Sequence, residues 1–284
     1  MSILSRLLCF GLLGLLGACA RPPVEQKYLL TGRQVWQGEV HVRGDLELAE
    51  GAELRIAPGT RVLFEPPAPG EDRFQEHPYF VGSELIVRGR LIAEGTRENP
   101  IRFMAGDSSA SAGSWGGINI EDAPEVRFAW CRFSQANSAV HARNTSVSIR
   151  NSVFASNLVG VRFHDARMEL TNNLFEKNEA AIRFHLGAPT IRHNLIRNNH
   201  KGLFITSAPK DYLIEKNSFV DNDPYQVSLG EGVRKSVDLS HNFWSDKPGK
   251  DLETRFFDGR LDDWLGRVEY LPVLAAPAVV GPQP

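Results

Sequence analysis

The stretch Asn151-Ser152-Val153-Phe154-Ala155-Ser156-Asn157-Leu158-Val159-Gly160-Val161-Arg162-Phe163-His164 is followed, 21 residues on, by Asn172-Asn173-Leu174-Phe175-Glu176-Lys177-Asn178-Glu179-Ala180-Ala181-Ile182-Arg183-Phe184-His185. Working outward from the anchors Phe154 and Phe175, Phe133 and Ile196 hold the same place one period before and after, then Phe219 follows after 23 residues and Trp244 after 25. Two residues before each anchor stand Cys131, Ser152, Asn173, Asn194, Asn217 and Asn242. Three residues after stand Ala136, Asn157, Asn178, Asn199 and Asn222. Seven and nine residues after the first four anchors come Val140/Ala142, Val161/Phe163, Ile182/Phe184 and Leu203/Ile205; in the fifth unit Val227/Leu229 is displaced by one.

A fixed period of this length marks a repeat architecture. Apolar and polar residues alternate in short runs, which is strand periodicity. Asn and Gly fall between the runs, where turns need left-handed backbone angles. The leucine-rich signature that can also have this length is absent. Two or three short strands per unit, without helices, make one coil of an all-β parallel β-helix, each coil burying its inner face against its neighbours. The Asn columns then read as structural ladders of stacked amides.

Before Val126 the strand character continues without the strict period. Val40-His41-Val42, Leu46-Glu47-Leu48 and Leu54-Arg55-Ile56 alternate, and Pro58-Gly59 turns into Val62-Leu63-Phe64. A Pro- and charge-rich excursion at 65–82 reads as a surface loop, after which Leu85-Ile86-Val87 resumes the pattern. The organisation expected is irregular coils over 35–125, about three of them, regular coils over 126–245, and a capping segment with a tail over 246–284. That makes roughly eight to nine coils.

The motifs Leu54-x-Ile56-x-Pro58-Gly59-Thr60-x-Val62-x-Phe64, Leu85-x-Val87-x-Gly89-x-Leu91-x-Ala93-x-Gly95-Thr96, Pro100-Ile101-x-Phe103 and Trp115-Gly116-Gly117-Ile118 resemble those of bacterial right-handed β-helix repeat proteins of the pectin-lyase-like superfamily. So do Asn242-Phe243-Trp244, Phe257-Asp258-Gly259 and Leu265-Gly266-x-Val268-x-Tyr270-x-Pro272. The resemblance spans most of 35–274. It implies a right-handed parallel β-helix and leaves the activity open, since the superfamily holds lyases, hydrolases, epimerases, adhesins and proteins with no known chemistry. It also implies that the segment with Asp258, Asp262 and Asp263 covers the open end of the helix.

The first residues stand apart. A single basic residue, Arg6, precedes the apolar run Leu7–Leu16, which is too short to span a bilayer and fits the core of a secretory signal. Leu16-Gly17-Ala18-Cys19 resembles the lipobox of bacterial lipoproteins, which implies a signal peptide over 1–18, lipidation at Cys19 and a tether over 19–34. Ala20, where an Asp would retain such a protein at the inner membrane, implies the outer membrane. The partner expected through the anchor is therefore a membrane. Of three cysteines only Cys131 lies in the mature domain, so no intrachain disulfide is available. With 32 Lys+Arg against 34 Asp+Glu there is no global case for nucleic acid. No cofactor and no metal site is read from the sequence, and no protein partner can be named.

Alternation assigns the chemistry-bearing residues to faces. If Val161 and Phe163 point inward, Arg162 and His164 point outward. Coil by coil, one outer face then carries the columns His141-Arg162-Arg183 and Arg143-His164-His185, with Phe204 at the end. In-register coils lie about 4.8 Å apart, so the like charges repel. Such a patch fits an anionic partner, a uronate polysaccharide or lipid phosphate, because Arg pairs carboxylates and phosphates through two parallel hydrogen bonds, and Phe204 can stack on a sugar ring. Arg and His also suit an exposed twisted sheet with neutral His easing the repulsion, so a merely structural face stays open. Three functions follow: a non-catalytic envelope lipoprotein displaying a face for an anionic glycan; a polysaccharide lyase or uronate epimerase with Arg162 or Arg183 neutralising the uronate and His164 or His185 as base; or a protein-interaction scaffold. A glycoside hydrolase needs two carboxylates some 5 to 9.5 Å apart; only Asp165, at the edge, is read on this face.

Overall fold

The structure, a computed structural model, describes residues 28–278 and Pro282. Short strands assemble into three parallel sheets, called A, B and C here, with ten, eight and nine strands. From Leu29 to Gly232 successive strands enter A, B and C in strict rotation, so each circuit is one coil. The ten strands of sheet A give about ten turns. The repeat alone gives eight to nine, because Leu29–Leu30 and Phe256–Phe257 join sheet A beyond the reach of the period. Four strands of sheet A precede Val126: Leu29–Leu30, Asp45–Leu48, Glu84–Val87 and Trp115–Glu121. The solenoid therefore starts inside the stretch read as tether, with Leu30 paired to Leu48 and Trp36 to Ile56. The signal segment and Cys19 lie outside the described residues.

The anchors form one inward column of sheet C. Phe133 pairs with Phe154, Phe154 with Phe175, Phe175 with Ile196, Ile196 with Phe219 and Phe219 with Trp244. The rings of Phe133, Phe154 and Phe175 stack at 4.6 and 4.8 Å, nearly parallel. Val140, Val161, Ile182, Leu203 and Val227 form the matching column of sheet A, all with zero exposure. Burying such side chains contributes about 1.5–3 kcal/mol each before chain entropy is counted.

At the corners the Asn columns work as ladders. Asn194 Oδ1 accepts from Asn173 N at 2.9 Å and Asn173 Nδ2 at 3.0 Å, and Asn194 Nδ2 donates to Leu170 O at 2.8 Å. Asn157, Asn178, Asn199 and Asn222 repeat this at the next corner. The left-handed residue at each corner is the one before the ladder Asn, as at Asn172, Lys177, His193 and Asn198. None is glycine, so the ladder bonds hold a backbone conformation that ordinary residues adopt reluctantly.

The closing segment is knitted around Asp258, fully buried, which accepts from Val268 N at 2.8 Å and Arg260 N at 2.9 Å and pairs with Arg260. On the outer face of sheet C, Val153 and Leu174 are buried although they point away from the core. The C-terminal tail returns along this side: Leu274 N donates to Asn242 O, Ala278 N to Ser218 Oγ, and Pro282 sits in a recess with Val153, Trp130 and Arg132.

Candidate functional site

The outer face of sheet A carries the columns expected from alternation. His141 pairs in register with Arg162, Arg162 with Arg183 and Arg183 with Phe204; Arg143 pairs with His164 and His164 with His185. Beyond Phe204 come Ser228 and then Phe257, with Lys201 and Tyr225 on the neighbouring outward column. Between Phe184 and His185 the register slips, so that His185 pairs with Ser207, and Thr206 turns its hydroxyl to His185 Nδ1 at 3.3 Å.

The seven residues do not share one environment, because the surface loop at 65–82 packs against sheet A. It folds over the outer face of sheet A and roofs the first half of it. Outward-pointing Glu84, Ile86, Asn119 and His141 are all buried, at 0, 1, 5 and 3 % exposure. Phe80 packs its ring 5.3 Å from that of His141. The loop is tied down by Arg73 N and Phe74 N donating to Asp45 Oδ2, and by Phe80 N donating to Glu84 Oε1 at 2.8 Å. Gly116 makes room for this, since a Cβ there would come within 2.4 Å of the Glu84 side chain, while at neighbouring Gly117 it would meet the adjacent strand at Ser138 O, 2.1 Å away. Burial pushes the Glu84 carboxyl up to about 9, so it is a neutral acid at pH 7.

Two expected members of the patch are thereby removed from it. His141 is enclosed, with Nδ1 2.9 Å from Asn119 Oδ1, and burial with Arg162 beside it drives its pKa down to about 3. It stays neutral and inaccessible. Arg143 is ion-paired with Glu121, which Arg88 also holds. Alternation places only Asp165 on this face, and the structure adds Glu121 as an acid in the neighbouring coil. Glu121 stands 22 residues before Arg143, across a register shift between Gly117 and Ile118, just ahead of the strict period.

What remains open is a two-by-two array, Arg162 and Arg183 beside His164 and His185. Among the described residues neither arginine has a carboxylate within ion-pair distance. Arg162 lies with its guanidinium 4.9 Å over the Phe80 ring, and Arg183 with its own 5.0 Å over Phe204. Arg162 Nε is buried without a hydrogen-bond partner. Burial and the neighbouring Arg183 lower Arg162 to about 10, so it stays charged near neutrality. The two imidazoles stack at 4.9 Å, 4° from parallel, and burial with His164 beside it lowers the pKa of His185. His77, on the roof, faces the same array, its pKa lowered by burial and by Arg162.

Elsewhere the face assignments hold without adding a site. On sheet B, Arg127, Ser148, Glu169 and Thr190 are in register, and Arg192 pairs with Glu215 at 2.7 Å. His193 and His241 are left-handed turn residues. Cys131 is buried, its thiol held protonated by burial while Sγ donates to Ala93 O. No cluster of three metal-ligating side chains occurs among the described residues, and no helix among them is long and apolar enough to cross a membrane.

Against known proteins, residues 106–243, just under half of the chain, match the family described as right handed beta helix region. No curated protein and no solved structure matches the chain. The family match and the three stacked parallel sheets agree that the chain is a parallel β-helix.

Proposed function

We propose that this β-helix is a cell-envelope lipoprotein, anchored through Cys19 at the outer membrane, whose sheet A face is a non-catalytic binding surface for an anionic glycan. The observation that carries the reading is the pair Arg162 and Arg183, adjacent in register, each stacked on a ring and neither ion-paired among the described residues. Two like charges one coil apart oppose folding; Arg88, Arg143, Arg192 and Arg197 each pair with an acid, and although Arg102 and Arg132 on sheet C are also in register and without an ion pair among the described residues, of these two pairs only Arg162 and Arg183 each lie over a ring. Leaving these two unneutralised fits a ligand that brings the negative charge. Their stacking on Phe80 and Phe204 fixes the guanidinium planes, so an anion meets preformed donors.

Elimination chemistry, as in a lyase or epimerase, would need a base beside a neutralised uronate. Exposed His164 next to Arg162 and Arg183 is the group placed for it. The test is a glycan array with soluble residues 24–284, followed by absorbance at 235 nm on every hit. Binding of acidic glycans without absorbance growth supports the binding reading. Growth that is lost in His164→Ala moves the assignment to a lyase. No acidic hit at low salt leaves the face without a glycan role and turns attention to a protein partner.

A further inference from the structure

The outer face of sheet A is open at one end only. At the coils of Asn119 and His141 the outward side chains lie under the roof, and at the next coil Arg162 is half-buried and His164 exposed. The roof therefore ends on a line between His141 and Arg162, with Phe80 and His77 as its lip. In the other direction, among the described residues, the face is not roofed and its outward side chains are half-buried, apart from small Ser228, buried between Phe204 and Phe257. Past Arg183 it carries Phe204, then Tyr225 and Phe257, whose rings meet edge to face at 5.6 Å, all half-buried. Lys201 lies 5.9 Å over Phe204. The order along the helix axis is thus wall, cation pair, aromatic platform.

From this we infer that the site reads the end of an acidic chain: one terminal anionic residue seats on Arg162 and Arg183 against the Phe80 wall, and the following sugar rings pass Phe204, whose ring carries Arg183 and Lys201, and lie outward over Tyr225 and Phe257. The inference rests on the glycan-binding reading and adds a direction to it. A polymer threaded through along the axis would have to pass where the roof sits on His141, whereas a chain end stops there. Aromatic faces receive the apolar faces of sugar rings, and a single anion-binding pair at the closed end suits one terminal carboxylate better than a run of them.

The experiment uses soluble residues 24–284 with uronate oligosaccharides of two to ten residues (galacturonate, glucuronate and mannuronate/guluronate series) and their long polymers, at low salt and pH 6. Sedimentation counts protein per chain, and calorimetry gives the affinity. The expected result is a molar affinity per chain that levels off after about four residues, and no more than one protein per chain however long the polymer. Tyr225→Ala with Phe257→Ala should weaken the tetramer severalfold and leave the dimer unchanged, while circular dichroism reports an intact fold. Occupancy rising in proportion to polymer length overturns the chain-end assignment and keeps the face as a glycan site. Failure of every series to bind removes the glycan reading together with this one.

Discussion

Replacing Asn194 by Ala tests the ladder that sets the coil register. Asn194 Oδ1 accepts from both the backbone and the side chain of Asn173, and its Nδ2 donates to Leu170 O, Arg192 O and Asn217 Oδ1. Asn173 Nδ2 would keep its bond to Ile149 O, and Asn217 Oδ1 its bond from Asn194 N. The Asn173 backbone N–H, which sits between strands, would keep nothing, and Leu170 O would lose its amide donor. One orphaned buried N–H costs about 1–3 kcal/mol, and each lost net hydrogen bond about 1 kcal/mol. With the small void left where a fully buried amide stood, the expected loss is about 3–5 kcal/mol. Thr171→Ala, on the outer face of the preceding coil, is the control and should change stability by under about 0.5 kcal/mol. Urea melts of the two variants and the parent measure both. A loss below 1 kcal/mol for Asn194→Ala would mean that the ladder follows the register and does not hold it.

Three further outcomes are expected. Glu84 has a folded pKa of about 9 against an ordinary 4.5, so the folded state binds the extra proton between those values and stability falls as pH rises through that window; Glu84→Gln should leave stability unchanged at pH 4 and raise it by up to roughly 3 kcal/mol at pH 7, and a pH-independent difference in melts would contradict the burial. His141 works in the opposite direction: its pKa lies near 3, below the ordinary 6.5, so stability is lost as pH falls from about 6.5, and His141→Asn should flatten that acid limb. Cys19→Ser should release the protein from the membrane fraction; retention after a carbonate wash would refute the lipid anchor.

The anchor phenylalanines, the Asn columns and the paired outer columns of sheet A were legible because a 21-residue period and strand alternation leave in-register coils one arrangement. The roof was not. Residues 65–82 carry no period, and what they bury, His141 and Glu84, looks from sequence like any other outward position. Glu121 is not legible from the period because it lies across a register shift in the last coil before the strict repeat. Val153 and Leu174 break outward polarity on sheet C, and that break was a readable sign that the chain returns along that side. The roof also limits which imidazoles of the patch can gain charge. His141 contributes no charge, and His185 titrates below its ordinary value of 6.5. Binding of an anion should therefore strengthen only as pH falls below about 6.5.

The face itself is tested most directly by Arg162→Ala with Arg183→Ala, titrated with an acidic oligosaccharide at pH 6 in low and in 0.3 M salt. Each charged hydrogen bond removed is worth about 1.5–3 kcal/mol, or at least tenfold in affinity. The expected result is a loss of about a hundredfold or more in the double variant, a parent affinity that falls with salt because exposed charges are screened over about 10 Å at 0.1 M, and a melt close to the parent's. An affinity unchanged in the double variant would contradict the binding role of this face.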